Sequence, residues 1–241
     1  MLVKEWMSED PIVLDENASI MKAVQIMKEH GIRRIPVVRQ NKLVGIVTDR
    51  DIREATPSKA TALDVHELYY LLSEIKVKDI MTPNPITIHP EQTVEYAAVI
   101  MLENRISGLP VIDDEGHVVG IITQTDIFKV LINITGIYYG PYQVVFDLEN
   151  RPGSIREVLD VIRDHNGKVI SFLTSYIGVE PEIRRVYFRL AEMEPEAFEK
   201  LLADLKSKFN LLYWVKDDLS NLPKKETVTK SPETVESILK I

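Results

Sequence analysis

The chain has 241 residues, 45% of them hydrophobic, enough to bury substantial cores and a length that suggests two domains more readily than one. It contains no cysteine, which excludes disulfides, thiolate metal sites and cysteine nucleophiles, and a net charge of −8 without a basic run speaks against nucleic acid as a partner. Lys4, Glu5, Glu9 and Asp10 do not fit a signal-peptide core, and Asp126 and Lys129 interrupt the most apolar later stretch; the expected compartment is the cytoplasm, with no membrane span.

In chain order, Met7-x-x-x-Pro11 precedes a short predicted strand, and Ser19 caps a helix whose Ile20, Ala23, Val24 and Met27 fall on one face. A strand carrying Pro36-Val37 follows, then a tight turn at Gln40-Asn41-Lys42 and a second strand from Gly45 to Thr48. That strand delivers Thr48-x-x-Asp51 to the start of another helix. Thr-x-x-Asp is a capping-box pattern, and equally a hydroxyl and a carboxylate placed where a polar ligand can reach them.

The whole unit recurs. Met81, Pro85 and Ile86 repeat Met7, Pro11 and Ile12; Thr93 caps a helix with Val94, Ala97, Ala98 and Met101 on its face; Pro110-Val111 repeats Pro36-Val37. Gly45-Ile-Val-Thr-Asp-Arg-Asp51 returns as Gly120-Ile-Ile-Thr-Gln-Thr-Asp126 after a one-residue insertion in the turn, where Asp113-Asp114-Glu115-Gly116 reads as a solvated hairpin rather than a calcium site. Between the units, Asp64-Val65-His66-Glu67 opens a helix with Val65, Leu68, Leu71 and Leu72 on its apolar face. The five histidines lack metal-binding spacing, so no metal site is expected.

From Tyr142 the pattern changes. An alternating strand at 143–148 leads through Asn150-Arg-Pro152-Gly153-Ser154 into a helix with Ile155, Val158, Leu159 and Ile162, ended by Gly167. Strands near 168–176 and 184–191, a helix bearing Phe198, Leu201, Leu202 and Leu205, and a strand at 210–215 complete a βαββαβ order. After a polar stretch, Ser231-Pro232-Glu233 starts a short helix with Val235, Ile238 and Leu239.

The duplicated β-α-β-β-α unit, with Met-x-x-x-Pro, Pro-Val and Gly-x-x-Thr-x-x-Asp in both copies, resembles the CBS-domain tandem, or Bateman module. The later segment, with Asn-Arg-Pro-Gly at its first strand–helix turn, is similar to a ferredoxin-like ACT domain, and the combination resembles the acetoin-utilisation AcuB family. The expected fold is mixed α/β (α+β), with repeats at 1–56 and 80–134, a helical linker at 57–79, an ACT domain at 138–217 and a tail at 218–241.

The CBS resemblance implies an adenosine-containing ligand, such as AMP, ADP or ATP, in clefts between the repeats, with the carboxylate accepting both ribose hydroxyls. It pairs Thr48 and Asp51 with Ile86, Ile106 and Ser107, and Thr123 and Asp126 with Ile12, Ile32 and Arg33. Arg33 and Arg34 are expected to meet phosphate in the Thr123–Asp126 cleft, one of them reaching a given ligand because neighbours in a strand point to opposite faces. The ACT resemblance implies amino-acid binding at Asn150, Pro152, Gly153 and Ser154, although Leu148 and Val169 depart from that pattern. No catalytic motif is present, so the expected role is a regulatory nucleotide sensor without a required cofactor, homodimeric and acting on a protein partner. A dimerisation platform without ligand and an amino-acid sensor are the alternatives.

Overall fold

A computed structural model of the chain describes residues 1–56 and 72–223. Two compact units emerge, Met1–Ile127 and one beginning at Phe128. Residues 64–71 of the predicted linker helix and the predicted helix from Ser231 lie outside the described residues, while Leu72, the last residue of that linker face, is helical and buried.

In the first unit each repeat builds a small sheet. Strands β1 (Ser8–Glu9), β2 (Leu14–Asp15), β3 (Arg34–Arg39) and β4 (Lys42–Thr48) alternate with helices α1 (Ile20–His30) and α2 (Asp49–Ala55). The second repeat supplies α3 (Val77–Ile80), β5 (Thr82–Pro83), α4 (Val94–Glu103), β6 (Gly108–Ile112), β7 (Val118–Thr123) and α5 (Gln124–Thr135). The helical stripes bury as their spacing requires: Ile20, Ala23, Val24 and Met27 in α1, and Val94, Ala97 and Met101 in α4. Both predicted caps form, Ser19 accepting from the Lys22 N–H at 3.3 Å and Thr93 from the Tyr96 N–H at 3.2 Å.

The sheets are completed by exchange. β1 pairs with β7 of the second repeat, while β5 pairs with β4 of the first. The sheet orders are therefore β1-β7-β6 and β2-β3-β4-β5. The Met-x-x-x-Pro strand thus lies between the Met and the Pro, not only after the Pro, and it joins the other repeat. A Cβ on Gly45 would sit 2.2 Å from Met81 Sδ, and one on Gly120 2.3 Å from Met7 Sδ, so each glycine admits the methionine of the opposite repeat. Val77 extends the exchange by burying itself in the first repeat's core with Leu14, Ile35, Val37, Val47 and Ile52.

The second unit has β8 (Tyr142–Glu149), α6 (Ser154–Asp164), β9 (Val169–Ser175), β10 (Ile183–Leu190), α7 (Pro195–Lys208) and β11 (Asn210–Lys216). Its antiparallel sheet runs β11-β8-β10-β9, a ferredoxin-like arrangement. Alternate residues Val144, Phe146, Leu148, Val186, Phe188 and Leu190 share a core with Val158 and Ile162 of α6 and Phe198, Leu201, Leu202 and Leu205 of α7. The turn after α6 differs from expectation: the left-handed residue is Asn166 (φ 56°), and Gly167 instead donates its N–H to the Ile162 carbonyl at 2.8 Å. No helix among the described residues is long and apolar enough to cross a membrane.

Candidate functional site

Strands β4 and β7 each end on a threonine at the start of the next helix, and Thr48 caps α2. Thr48 Oγ1 accepts the Asp51 N–H at 3.3 Å, and Asp51 Oδ2 accepts from both the Thr48 N–H and the Thr48 hydroxyl at 2.7 Å. Asp126 Oδ2 likewise accepts from the Thr123 N–H at 3.0 Å and its hydroxyl at 2.7 Å. A full capping box is therefore present at Thr48, and its carboxylate half at Thr123. It also fixes the carboxylate's orientation, and every hydrogen bond to Asp51 among the described residues goes to Oδ2, which leaves the Oδ1 lone pairs for another donor.

The surroundings of the two pairs differ. Thr48 and Asp51 line a cavity of about 630 Å³, a volume suited to a small organic ligand. Ile46, Pro85, Ile86, Ile106 and Pro110 give it apolar walls; Thr82, Asn84, Ser107, Asp49 and five arginines supply its polar lining. Ile86, Ile106 and Ser107 are the residues expected beside this pair. Asp126 is buried at 4% exposure, whereas Asp51 is half-buried. Thr123, Ile12 and Ile32 are half-buried and do not line the Thr48–Asp51 cavity.

Two of the arginines named from the sequence sit at this cavity. Arg33 and Arg34 both line the Thr48–Asp51 cavity, and Arg34 also lies within electrostatic reach of Asp126 of the second pair. Face alternation does not separate them, because β3 begins at Arg34 and Arg33 lies before it. The Arg33 carbonyl accepts the Asp49 N–H at 3.0 Å, which ties this corner to the start of α2. Arg34 reaches across to the other repeat, where its Nη2 donates to Ser107 Oγ at 2.7 Å. Burial pushes its pKa down, with Arg33 adding to that effect while Asp49 and Asp126 oppose it; an arginine stays charged regardless. A bound anion would relieve the cost of that burial.

Arg50, Arg53 and Arg105 complete the cationic lining. Sequence reasoning did not assign them to the site. The signal available was comparison of the repeats, since their counterparts Thr125, Phe128 and Gly31 are uncharged.

At the β8–α6 turn, Gly153 has φ +92° and Ser154 is 3% exposed. Pro152 is exposed beside it. The Asn150 side-chain amide donates to the Pro181 carbonyl at 3.3 Å. Arg184 Nη2 donates to Ser154 Oγ at 2.7 Å and to the Arg151 carbonyl at 3.1 Å. The Asn150 amide N–H and the Ser154 hydroxyl thus each hydrogen-bond to the neighbouring strand β10 or the loop before it. In the first unit's hairpin, ligand atoms of Asp113, Glu115 and His117 lie within 4.8 Å of one another. There the Asp113 carboxylate accepts the His117 N–H at 2.7 Å, a bond that closes the turn.

A model of the CBS domain matches residues 3–58 and 77–133. The chain is 38% identical over 129 residues to an L-aspartate semialdehyde sulfurtransferase of Methanocaldococcus jannaschii, a match covering 53% of this chain and 23% of that protein. It is 34% identical over 135 residues to a CBS domain-containing protein of Dictyostelium discoideum, covering 56% and 93% respectively. Among solved structures, the CBS domain pair of protein MJ0100 in complex with 5′-methylthioadenosine and S-adenosyl-L-methionine is 36% identical, covering 55% of this chain and 97% of that one at a TM-score of 0.46. CBSX2 in complex with AMP is 30% identical, covering 55% and 97% at 0.45. A putative acetoin utilization protein (AcuB) from Vibrio cholerae is 27% identical, covering 57% and 95% at 0.48.

Proposed function

Because the chain belongs to the CBS-domain proteins, we propose that it is a regulatory, non-catalytic sensor of an adenosine-containing ligand bound beside Thr48 and Asp51. One observation carries this reading: a fixed carboxylate opens on a cavity of about 630 Å³ that has apolar walls and a cationic rim. The carboxylate suits the two hydroxyls of a ribose, Ile86 and Ile106 suit the faces of a base, and the guanidiniums suit phosphate. Sequence relatives of the pair bind 5′-methylthioadenosine, S-adenosylmethionine and AMP, which supports the adenosine moiety as the shared feature. The sulfurtransferase activity belongs to a protein of which the match spans 23%, and nothing in this cavity calls for a reacting group.

Ligand binding would favour one arrangement of the two repeats, whose exchanged strands make them move as linked elements. The second unit, read here as ACT-like from its ferredoxin-like sheet, and a second copy of the chain in a homodimer are the readers of that change, ahead of a regulated protein partner. Isothermal titration of nucleotide-stripped protein with AMP, ADP, ATP, NAD and S-adenosylmethionine tests the proposal. Absence of binding by all of them up to about 1 mM refutes it. An unchanged melting temperature with every nucleotide then favours the dimerisation platform, because a ligand specific for the native state must stabilise it.

A further inference from the structure

We propose that Arg50 and Arg105 make the Thr48–Asp51 cavity selective for a nucleoside di- or triphosphate over a monophosphate or an uncharged adenosine derivative. This rests on the adenosine-ligand reading and names the ligand class. Five arginines and two aspartates line the cavity, an excess of three positive charges in a chain whose net charge is −8. A single phosphate carries about −1.5 to −2 and matches only part of that excess. Further phosphates match it better, and guanidinium binds their oxygens in bidentate fashion.

Arg105 gives the independent observation. Its backbone has φ +54°, in the left-handed region. The other non-glycine residues there are Asp10, Asn41, Asn84 and Asn166, of the types that tolerate it, and Gln40 in a hairpin turn. The matching position after α1 is Gly31 at φ +63°, which takes this conformation without strain. The second repeat thus holds an arginine where glycine suits the backbone. Among the described residues that guanidinium has neither an ion pair nor a side-chain hydrogen bond, although it lines the cavity. Local strain kept for an unpaired cation at a ligand cavity is the pattern of a residue retained for binding. Arg50 pairs with Glu54 at 2.9 Å, one turn along an exposed helix face, a weak contact that a phosphate can replace.

The test is calorimetry on the full chain with adenosine, AMP, ADP and ATP, in EDTA so that ligand charge is defined. Affinity should rise with phosphate number, ATP binding at least about tenfold tighter than AMP and losing that advantage at high salt. In Arg105→Gly the ATP-to-AMP ratio should fall to within about threefold while the melting temperature rises, because the backbone strain is relieved. Arg105→Lys should keep part of the ratio, and Arg50→Thr should lower it. ATP binding no tighter than AMP, or a ratio that survives Arg105→Gly and Arg50→Thr, overturns the selectivity and leaves the adenosine sensor standing. If no adenosine compound binds, both fall.

Discussion

Asp51→Ala separates the two roles of the Thr-x-x-Asp pair. In the folded chain Asp51 Oδ2 accepts two hydrogen bonds from Thr48, both at 2.7 Å, so its removal takes away half of a capping box. Loss of such a cap costs about 1 kcal/mol of stability. Binding should suffer more. A carboxylate that accepts two ribose hydroxyls makes two charge-assisted bonds worth about 1.5–3 kcal/mol each, and loss of about 3 kcal/mol in total weakens binding roughly a hundredfold. Asp51→Asn keeps an acceptor oxygen for the cap and should fall between. Titration with AMP, alongside thermal unfolding of the same samples, reads both effects. The reasoning fails if Asp51→Ala binds AMP with unchanged affinity, and Asp126→Ala abolishing binding instead would place the ligand at the buried second pair.

Gly120→Ala should cost about 1–3 kcal/mol by overpacking against Met7, whose Sδ lies 2.3 Å from the new methyl position; an unchanged melting temperature would contradict the exchanged packing. Phe188→Ala in the second unit should cost about 3–5 kcal/mol in denaturant unfolding, since the ring is fully buried, and a value under about 1 kcal/mol would refute that placement. Hydrogen bonds from Arg39, with its charge adding, hold the Glu16 carboxyl below its ordinary 4.5 against the opposing effect of burial. The resulting stabilisation is complete above that value and disappears as pH falls through the lower folded value, so Glu16→Gln should show a shallower acid loss of stability than the wild type. Light scattering should give twice the mass of one chain, and a monomer at micromolar concentration would remove the second copy from the regulatory proposal.

Much of the architecture is written in local patterns. Spacing of Ile20, Ala23, Val24 and Met27 specifies which face of α1 is buried, because side chains three and four apart share a side of a helix. Duplication of Gly-x-x-Thr-x-x-Asp reveals two equivalent strand–helix junctions, and alternation along 143–148 fixes which residues of β8 face a core. The Thr48–Asp51 and Thr123–Asp126 hydrogen bonds follow from three-residue spacing alone.

What those patterns leave open is every choice between equivalent partners. Ser8–Glu9 is a two-residue strand that carries no signal for which sheet it joins, and it enters the opposite repeat because Gly120 admits Met7 there. Arg33 and Arg34 precede one Pro-Val strand, yet the cavity they line is set by how the repeats pack, with Arg34 crossing to Ser107. Arg105 is the sharpest case, because a charged residue after a helix resembles any solvated surface position until its left-handed backbone and its place in the cavity are seen together. Sequence by itself determined the repeated unit, its buried faces and its paired hydroxyl and carboxylate, all products of short-range periodicity. Tertiary structure alone decided which residues of one repeat meet those of the other, because that depends on contacts between residues some seventy positions apart, such as Arg34 and Ser107.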